Sequence, residues 1–164
     1  MRDLDSVLRD HERALARAVA SYSRPGPERE ELAQVVALAL VRAWPRFRGE
    51  SSELTYLMRI AHNCGLRQAL KRRKEPESLG ETEGQLRSSA PNPEEEAIGR
   101  QAGDRLSAAV RTLPLASRQV ITLALEELSH RDIADILGIS TNAVGVRLHR
   151  ARKQLEDVLG GRHG

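Results

Sequence analysis

Residues 128–155 read LSHRDIADILGISTNAVGVRLHRARKQL, two short helical patterns separated by a turn of about three residues. Ser129 stands where an N-cap is wanted, and Asp132, three residues on, is placed to reach back to its amide, so a first helix is predicted from His130. Ile133, Ala134, Ile136 and Leu137 form its buried stripe. Gly138 falls where the chain must leave the helix at positive φ, and Ser140 can then cap a second helix. There, Val144, Leu148, Ala151 and Leu155 make one apolar face, while Asn142, Arg147, His149, Arg150, Arg152 and Lys153 make the opposite one cationic and rich in donors. Small Ala134 lets the two helices cross closely. The pattern is a helix-turn-helix rather than an ordinary helical hairpin with a solvated basic face. When such a motif binds DNA, its second helix enters the major groove, with base contacts at its N-terminal half and flanking cations on phosphates. The candidate DNA contacts are Ser140, Thr141, Asn142, Arg147, His149, Arg150 and Lys153.

Composition limits what the rest can be. A chain of 164 residues fits one domain or two small ones, and with 2% aromatic residues its cores must rest on Leu, Ile, Val and Ala, which favours helices over sheets. Cys64 is the single cysteine, so no intramolecular disulfide or multi-cysteine zinc site is possible, and the five histidines show no metal-ligand spacing. No metal or cofactor is expected. The longest apolar run, 35–41, is far too short to span a bilayer, and the start, MRDLDSVLRDHE, is charged throughout, so a cytoplasmic protein without membrane insertion is expected. The net charge of +3 is unevenly spread: residues 51–75 carry six cations against two acids, and residues 76–100 carry six acids against two cations. Basic patches in two modules, flanking an acidic connector, point to a polyanionic partner.

In chain order, Leu4, Val7, Leu8, His11, Leu15, Ala18, Val19 and Tyr22 share a helical face that ends at Arg24-Pro-Gly-Pro. Glu28, Glu30 and Glu31 suit the first turn of a second helix, striped by Leu32, Val36, Ala39, Leu40 and Ala43 and ending near Trp44. Ser51 or Ser52 can cap a third, with Leu54, Leu57, Met58, Ile60, Ala61 and Cys64, which runs into the basic stretch 71–74. Residues 75–93 are rich in Pro, Gly, Ser and Glu and read as a linker. A fourth helix is predicted from Glu94 to about Thr112; a fifth, capped by Ser117, uses Val120, Ile121, Leu123, Ala124 and Leu125. The expected fold is all-α: a three-helix domain at 1–74, a flexible acidic linker at 75–93 and a helix-turn-helix domain at 94–160. No constellation of nucleophile, base, acid or metal ligands suggests catalysis.

The segments EELAQ (30–34), RAW (42–44), FRGESS (47–52), LMRIAHN (57–63), Leu113-Pro114 and the helix-turn-helix, in this order and spacing, resemble bacterial RNA polymerase sigma factors. The likeness is to the compact extracytoplasmic-function group of the sigma-70 family, which keeps only the domains that read the promoter minus-ten and minus-thirty-five elements. The resemblance implies that Glu31, Leu32 and Gln34 dock the clamp coiled coil of core polymerase, with the polymerase flap as a further partner. It places Phe47, Arg48, Gly49, Glu50, Ser51, Ser52 and Asn63 where a flipped minus-ten base is held, with Arg59, Arg67, Lys71, Arg72 and Arg73 along its backbone. It assigns Ser140, Thr141, Asn142, Arg147, His149, Arg150 and Lys153 to minus-thirty-five DNA, and makes Glu77, Glu81 and Glu83 part of a linker that imitates RNA charge. An anti-sigma factor is a common further partner in the family.

Val35 and Ala37 stand where the family carries acidic and aromatic residues, Glu53 follows FRGESS in place of an aromatic, Tyr56 replaces Trp, and Gly145 and Val146 replace polar residues on the reading helix. Each missing stacking platform removes about 1 to 3 kcal/mol per base, so promoter melting is expected to depend on a well-matched promoter or an activator. The competing expectation is a stand-alone helix-turn-helix regulator, which would need a dimerisation surface and would not need the FRGESS and EELAQ segments.

Overall fold

The computed structural model describes residues 1–74 and 94–161; the expected linker at 75–93 lies outside the described residues. Seven α-helices account for nearly all of them: α1 Leu4–Tyr22, α2 Pro27–Ala43, α3 Glu53–Lys74, α4 Glu94–Thr112, α5 Leu115–Leu125, α6 His130–Leu137 and α7 Thr141–Gly160, with a short 3-10 turn at Trp44–Arg46. No strand occurs among the described residues.

Local chemistry sets most boundaries. Asp3 caps α1 by accepting the Ser6 amide at 3.0 Å. Gly26, at φ 104°, turns the chain, and Pro27 opens α2 with its φ already helical. Of the two serines that could cap α3, Ser52 does so: its Oγ accepts the Thr55 amide at 3.1 Å and its hydroxyl donates to Thr55 Oγ1 at 2.9 Å. The fifth helix departs from the expected start. It begins at Leu115 directly after Pro114, whose carbonyl accepts the Arg118 amide at 2.9 Å. Ser117 is therefore inside the helix and buried, and its hydroxyl donates to Gln154 Oε1 of α7 at 2.6 Å. Leu125, expected in the core, is 47% exposed because the helix ends there and Glu127, at φ 61°, swings the chain toward α6.

Helices α1, α2 and α3 form one bundle and α4 to α7 a second. In the first, Val7, Ala14, Ala18 and Val19 of α1 and Leu32, Val36 and Leu40 of α2 close on Leu57, Met58, Ala61 and Cys64 of α3. Leu57 and Met58 are fully buried, each stabilising the fold by about 1.5–3 kcal/mol. The second bundle is built on Val120, Ile121 and Leu123 against Ile133, Val144, Leu148 and Ala151. The bundles also touch: α1 packs on α4 and α5, and α3 packs on α6.

Candidate nucleic-acid interface

The helix-turn-helix is built from its caps. Ser129 Oγ accepts the Asp132 amide at 3.1 Å and opens α6. The carboxylate of Asp132 takes the Ser129 hydroxyl at 2.8 Å instead of reaching back to the Ser129 amide as expected, because Asp is one methylene short of the usual capping-box Glu. Gly138 ends α6 in the left-handed region (φ 68°, ψ 36°), and the next amide, from Ile139, returns to the Ala134 carbonyl at 3.1 Å. Ser140 then caps α7, its Oγ accepting the Ala143 amide at 3.1 Å. Ile133, Ala134, Ile136, Val144, Leu148 and Ala151 are all buried along the seam, which fixes how α7 stands out from the bundle.

On the outer side, His130, Thr141, Asn142, Gly145, Val146 and His149 line an open groove at the start of α7. Thr141, Asn142, His149, Arg150 and Lys153 are exposed and Arg147 is partly exposed; of these, Thr141, Asn142 and His149 line the groove, and Arg147, Arg150 and Lys153 lie outside it. Nothing lies within 4 Å of a Cβ built on Gly145, so packing does not require glycine there; it costs the helix about 1 kcal/mol and leaves the groove floor clear. Val146, 52% exposed, adds an apolar side chain to the groove lining. Arg150 lies about one turn nearer the Ser140 cap than Lys153, and on that placement two roles are expected. Arg150→Ala is expected to weaken binding to the cognate duplex and to lower preference over scrambled DNA by about 1 to 3 kcal/mol, and Lys153→Ala to weaken both duplexes alike with the salt slope reduced by roughly one. Fluorescence anisotropy at two salt concentrations checks this; identical losses on both duplexes for Arg150→Ala would remove it from base reading.

On α3, Arg59, Asn63, Arg67 and Lys71 succeed one another every four residues, and all but the partly exposed Arg59 are exposed, giving a polar ridge of cations around one amide. The loop before it is held by aromatics. Phe47 stacks on Trp44 (5.0 Å, 18°) and leans on Tyr56 (4.8 Å, 47°), Trp44 Nε1 donates to the Arg2 carbonyl at 3.2 Å, and Tyr56 Oη donates to the Ala43 carbonyl at 2.7 Å. Phe47 therefore anchors the loop, while Arg48, Gly49 (φ 74°), Glu50 and Ser52 are exposed and Ser51 is partly so. None of the chain's four aromatic residues is exposed.

On α2, Glu31 and Gln34 are exposed, but Leu32 is 1% exposed and belongs to the core, so it supports this face from beneath instead of presenting it. Sequence reasoning missed Val35, Leu38 and Val41, which are 46%, 51% and 56% exposed and continue the face of Glu31 and Gln34. A signal was present: the run 35–41 is apolar all round, so a helix with only one buried side must turn some of it outward. Among the described residues no three His, Cys, Asp or Glu side chains are grouped to hold a metal, and no helix is long and apolar enough to cross a membrane.

Fold and site together define an all-helical protein of two small bundles, the second carrying a helix-turn-helix with an open reading face. Residues 7–75 match Sigma-70 region 2, and residues 103–155 match Sigma-70, region 4. The RNA polymerase sigma factor NccH of Alcaligenes xylosoxydans xylosoxydans is 30% identical over 158 residues, covering 93% of this chain and 84% of that one. The ECF RNA polymerase sigma factor SigE of Mycolicibacterium smegmatis is 30% identical over 157 residues, 94% of this chain, which spans 61% of that longer relative. In fold, the chain is similar to the sigma factor RpoE from Bartonella quintana, solved with the anti-sigma factor NepR, at a TM-score of 0.66 and 20% identity, covering 96% of this chain and 98% of that one. The chain belongs to the sigma-70 family of RNA polymerase sigma factors, in its extracytoplasmic-function group, and its role is in directing transcription initiation.

Proposed function

We propose that this chain binds core RNA polymerase and brings it to a two-part promoter, residues 1–74 serving the polymerase clamp and the minus-ten element and residues 94–160 the minus-thirty-five element. The observation that carries this reading is that each bundle turns one polar, cation-bearing helix outward: α3 with Arg59, Asn63, Arg67 and Lys71, and α7 with Thr141, Asn142, His149 and Arg150. In the melted promoter Asn63 offers an amide to a base that has left the stack, with the loop 48–52 as the rim of its pocket and the three cations of α3 on the backbone. Because the aromatic side chains are engaged in the Trp44–Phe47–Tyr56 cluster, hydrogen bonding and charge carry this step, and stacking contributes little.

Docking to the clamp uses Glu31 and Gln34 for polar contacts and the exposed Val35, Leu38 and Val41 for apolar ones. The substitution of aliphatic for acidic side chains makes this contact less salt-sensitive than an ionic one. The chain contributes no catalytic group; the polymerase supplies the chemistry, in the cytoplasm where the two meet. An anti-sigma factor, such as the one bound to RpoE, is a fitting partner for the same exposed faces. A stand-alone regulator would need only α6 and α7, and the α2 stripe and α3 ridge would be surplus to it.

Purified core polymerase, with and without this chain, transcribing genomic DNA fragments is the test. Run-off products that need the chain are expected; their absence on all fragments, with a folded chain, would overturn the reading.

A further inference from the structure

Two neighbouring residues on the outer side of the helix-turn-helix serve nothing within the fold. Gly145 lies inside α7, where a glycine weakens the helix, yet it has neither the positive φ nor the close neighbours that call for one. Val146 is a branched aliphatic side chain left 52% exposed, while α7 buries Val144, Leu148 and Ala151 on its other side. Both residues line the open groove at the start of α7, and the remaining lining residues, His130, Thr141, Asn142 and His149, are all polar.

The helix period puts the two in register with the polar residues. Asn142, Val146 and His149, spaced four and three apart, form one row along α7. From Asn142 to Val146 the row rises about 6 Å at about 1.5 Å per residue, which is less than two base-pair steps of about 3.4 Å. Gly145 adjoins the row without projecting from it. A side chain at 145 would hold the helix off a groove floor by its own length, whereas glycine lets the backbone itself come close. Only on such an approach does a side chain as short as valine reach base edges.

The chemistry of the row selects what it meets. The major groove presents donors and acceptors at every base pair but only one apolar group, the C5 methyl of thymine. Valine offers no hydrogen bond, so against a G·C pair it would strip water from polar base edges and leave them without partners. Against thymine it buries methyl on methyl. Asn142, in the same row, carries the amide that pairs bidentately with N6 and N7 of adenine, so both side chains suit A·T pairs.

Resting on the reading of α7 as the helix that meets the minus-thirty-five duplex, we propose that Val146 is a specificity-determining residue that selects a thymine through its C5 methyl. Gly145 is the positioning residue that brings the helix close enough for that contact. Asn142 and His149, on either side of Val146, read neighbouring steps by hydrogen bonds.

The test uses the full chain with core polymerase and a pool of duplexes randomised across both promoter elements. In the enriched upstream element each thymine is replaced in turn by deoxyuridine, which keeps the base pair and removes only the methyl. One replacement is expected to weaken binding about fourfold, the factor that burying one methyl-sized group contributes. Val146→Ala is expected to bind the thymine and uracil forms of that duplex alike. Gly145→Ala is expected to melt at a higher temperature than the parent and yet to bind the thymine duplex more weakly, an opposition that a purely helical role would not produce. An enriched element without an A·T pair, equal binding of thymine and uracil by the parent, or a methyl effect that survives Val146→Ala would each overturn the role of Val146. A Gly145→Ala chain with the parent's affinity would overturn that of Gly145. These failures leave sequence selection standing, whereas a pool that yields no enriched upstream sequence removes the minus-thirty-five reading and the inference with it.

Discussion

Gly65→Ala is expected to destabilise the protein by about 3 kcal/mol and to lower its melting temperature by roughly 10 °C. A Cβ on Gly65 of α3 would lie 2.3 Å from Cδ2 and 2.4 Å from Cγ of Tyr22, which is ring, not the flexible end of a side chain. Tyr22 cannot give way cheaply. Its ring meets His62 edge-on at 5.2 Å, its hydroxyl shares a 2.6 Å hydrogen bond with His62 Nδ1, and it is 3% exposed. Pushing the ring aside breaks a buried hydrogen bond and opens a void, each costing about 1 to 3 kcal/mol, against a gain of about 1 kcal/mol in helix propensity. Gly103→Ala on α4 is the control: nothing lies within 4 Å of its Cβ, so it is expected to stabilise by about 0.5–1 kcal/mol. Thermal or urea melts of both variants check the opposite signs, and a Gly65→Ala protein as stable as the parent would show that the Tyr22 ring is not pinned.

Acid is expected to weaken the fold through His62. Burial pushes its pKa down to about 4 from the usual 6.5, and Nε2 has no hydrogen-bond partner to receive a charge. The unfolded chain therefore binds a proton on this imidazole between pH 6.5 and 4 that the folded chain does not. The stabilisation is fully present above 6.5, is lost progressively as the pH falls, and amounts to about 2 kcal/mol by pH 5 and roughly 3 kcal/mol in total. Asp3 and Asp10, whose carboxyls are held below their ordinary value of 3.8 by hydrogen bonds from Ser6 and Arg2, act in the same direction but only at lower pH. Urea midpoints at pH 7.5 and pH 5.0 measure the effect. His62→Gln is expected to be less stable at neutral pH and much flatter across that interval; a parent slope retained in His62→Gln would place the titrating group elsewhere.

Much of the architecture was legible because helix signals are local. Pro27, Gly138, Ser129 and Ser140 act on amides and carbonyls within four residues of themselves, and the 4-3-4 spacing of Val144, Leu148, Ala151 and Leu155 specifies a buried face whatever it packs against. The helix-turn-helix, the all-α class and the family resemblance follow from such signals. The site was legible only in part. Periodicity separates an inner from an outer face, which is why Thr141, Asn142, His149 and Arg150 were readable as exposed, but it does not grade residues at the border, and Arg147 lies there.

What the tertiary structure alone decided involves partners that sequence distance conceals. Leu32 lies under the proposed docking face instead of on it, and Val35, Leu38 and Val41 face out, because α2 has only α1 and α3 to cover it. Phe47 anchors a loop because Tyr56, a turn into the next helix, closes on it. Ser117 bonds Gln154, 37 residues away; Tyr22 bonds His62, 40 away; Arg17 bonds Glu126, 109 away. Each of these residue types had a sound local reading as a cap, a stripe residue or a solvated charge. Which reading prevails depends on what the opposing helix presents, and that depends on the crossing of the bundles, to which every contact along the seam contributes and which no short stretch of chain encodes.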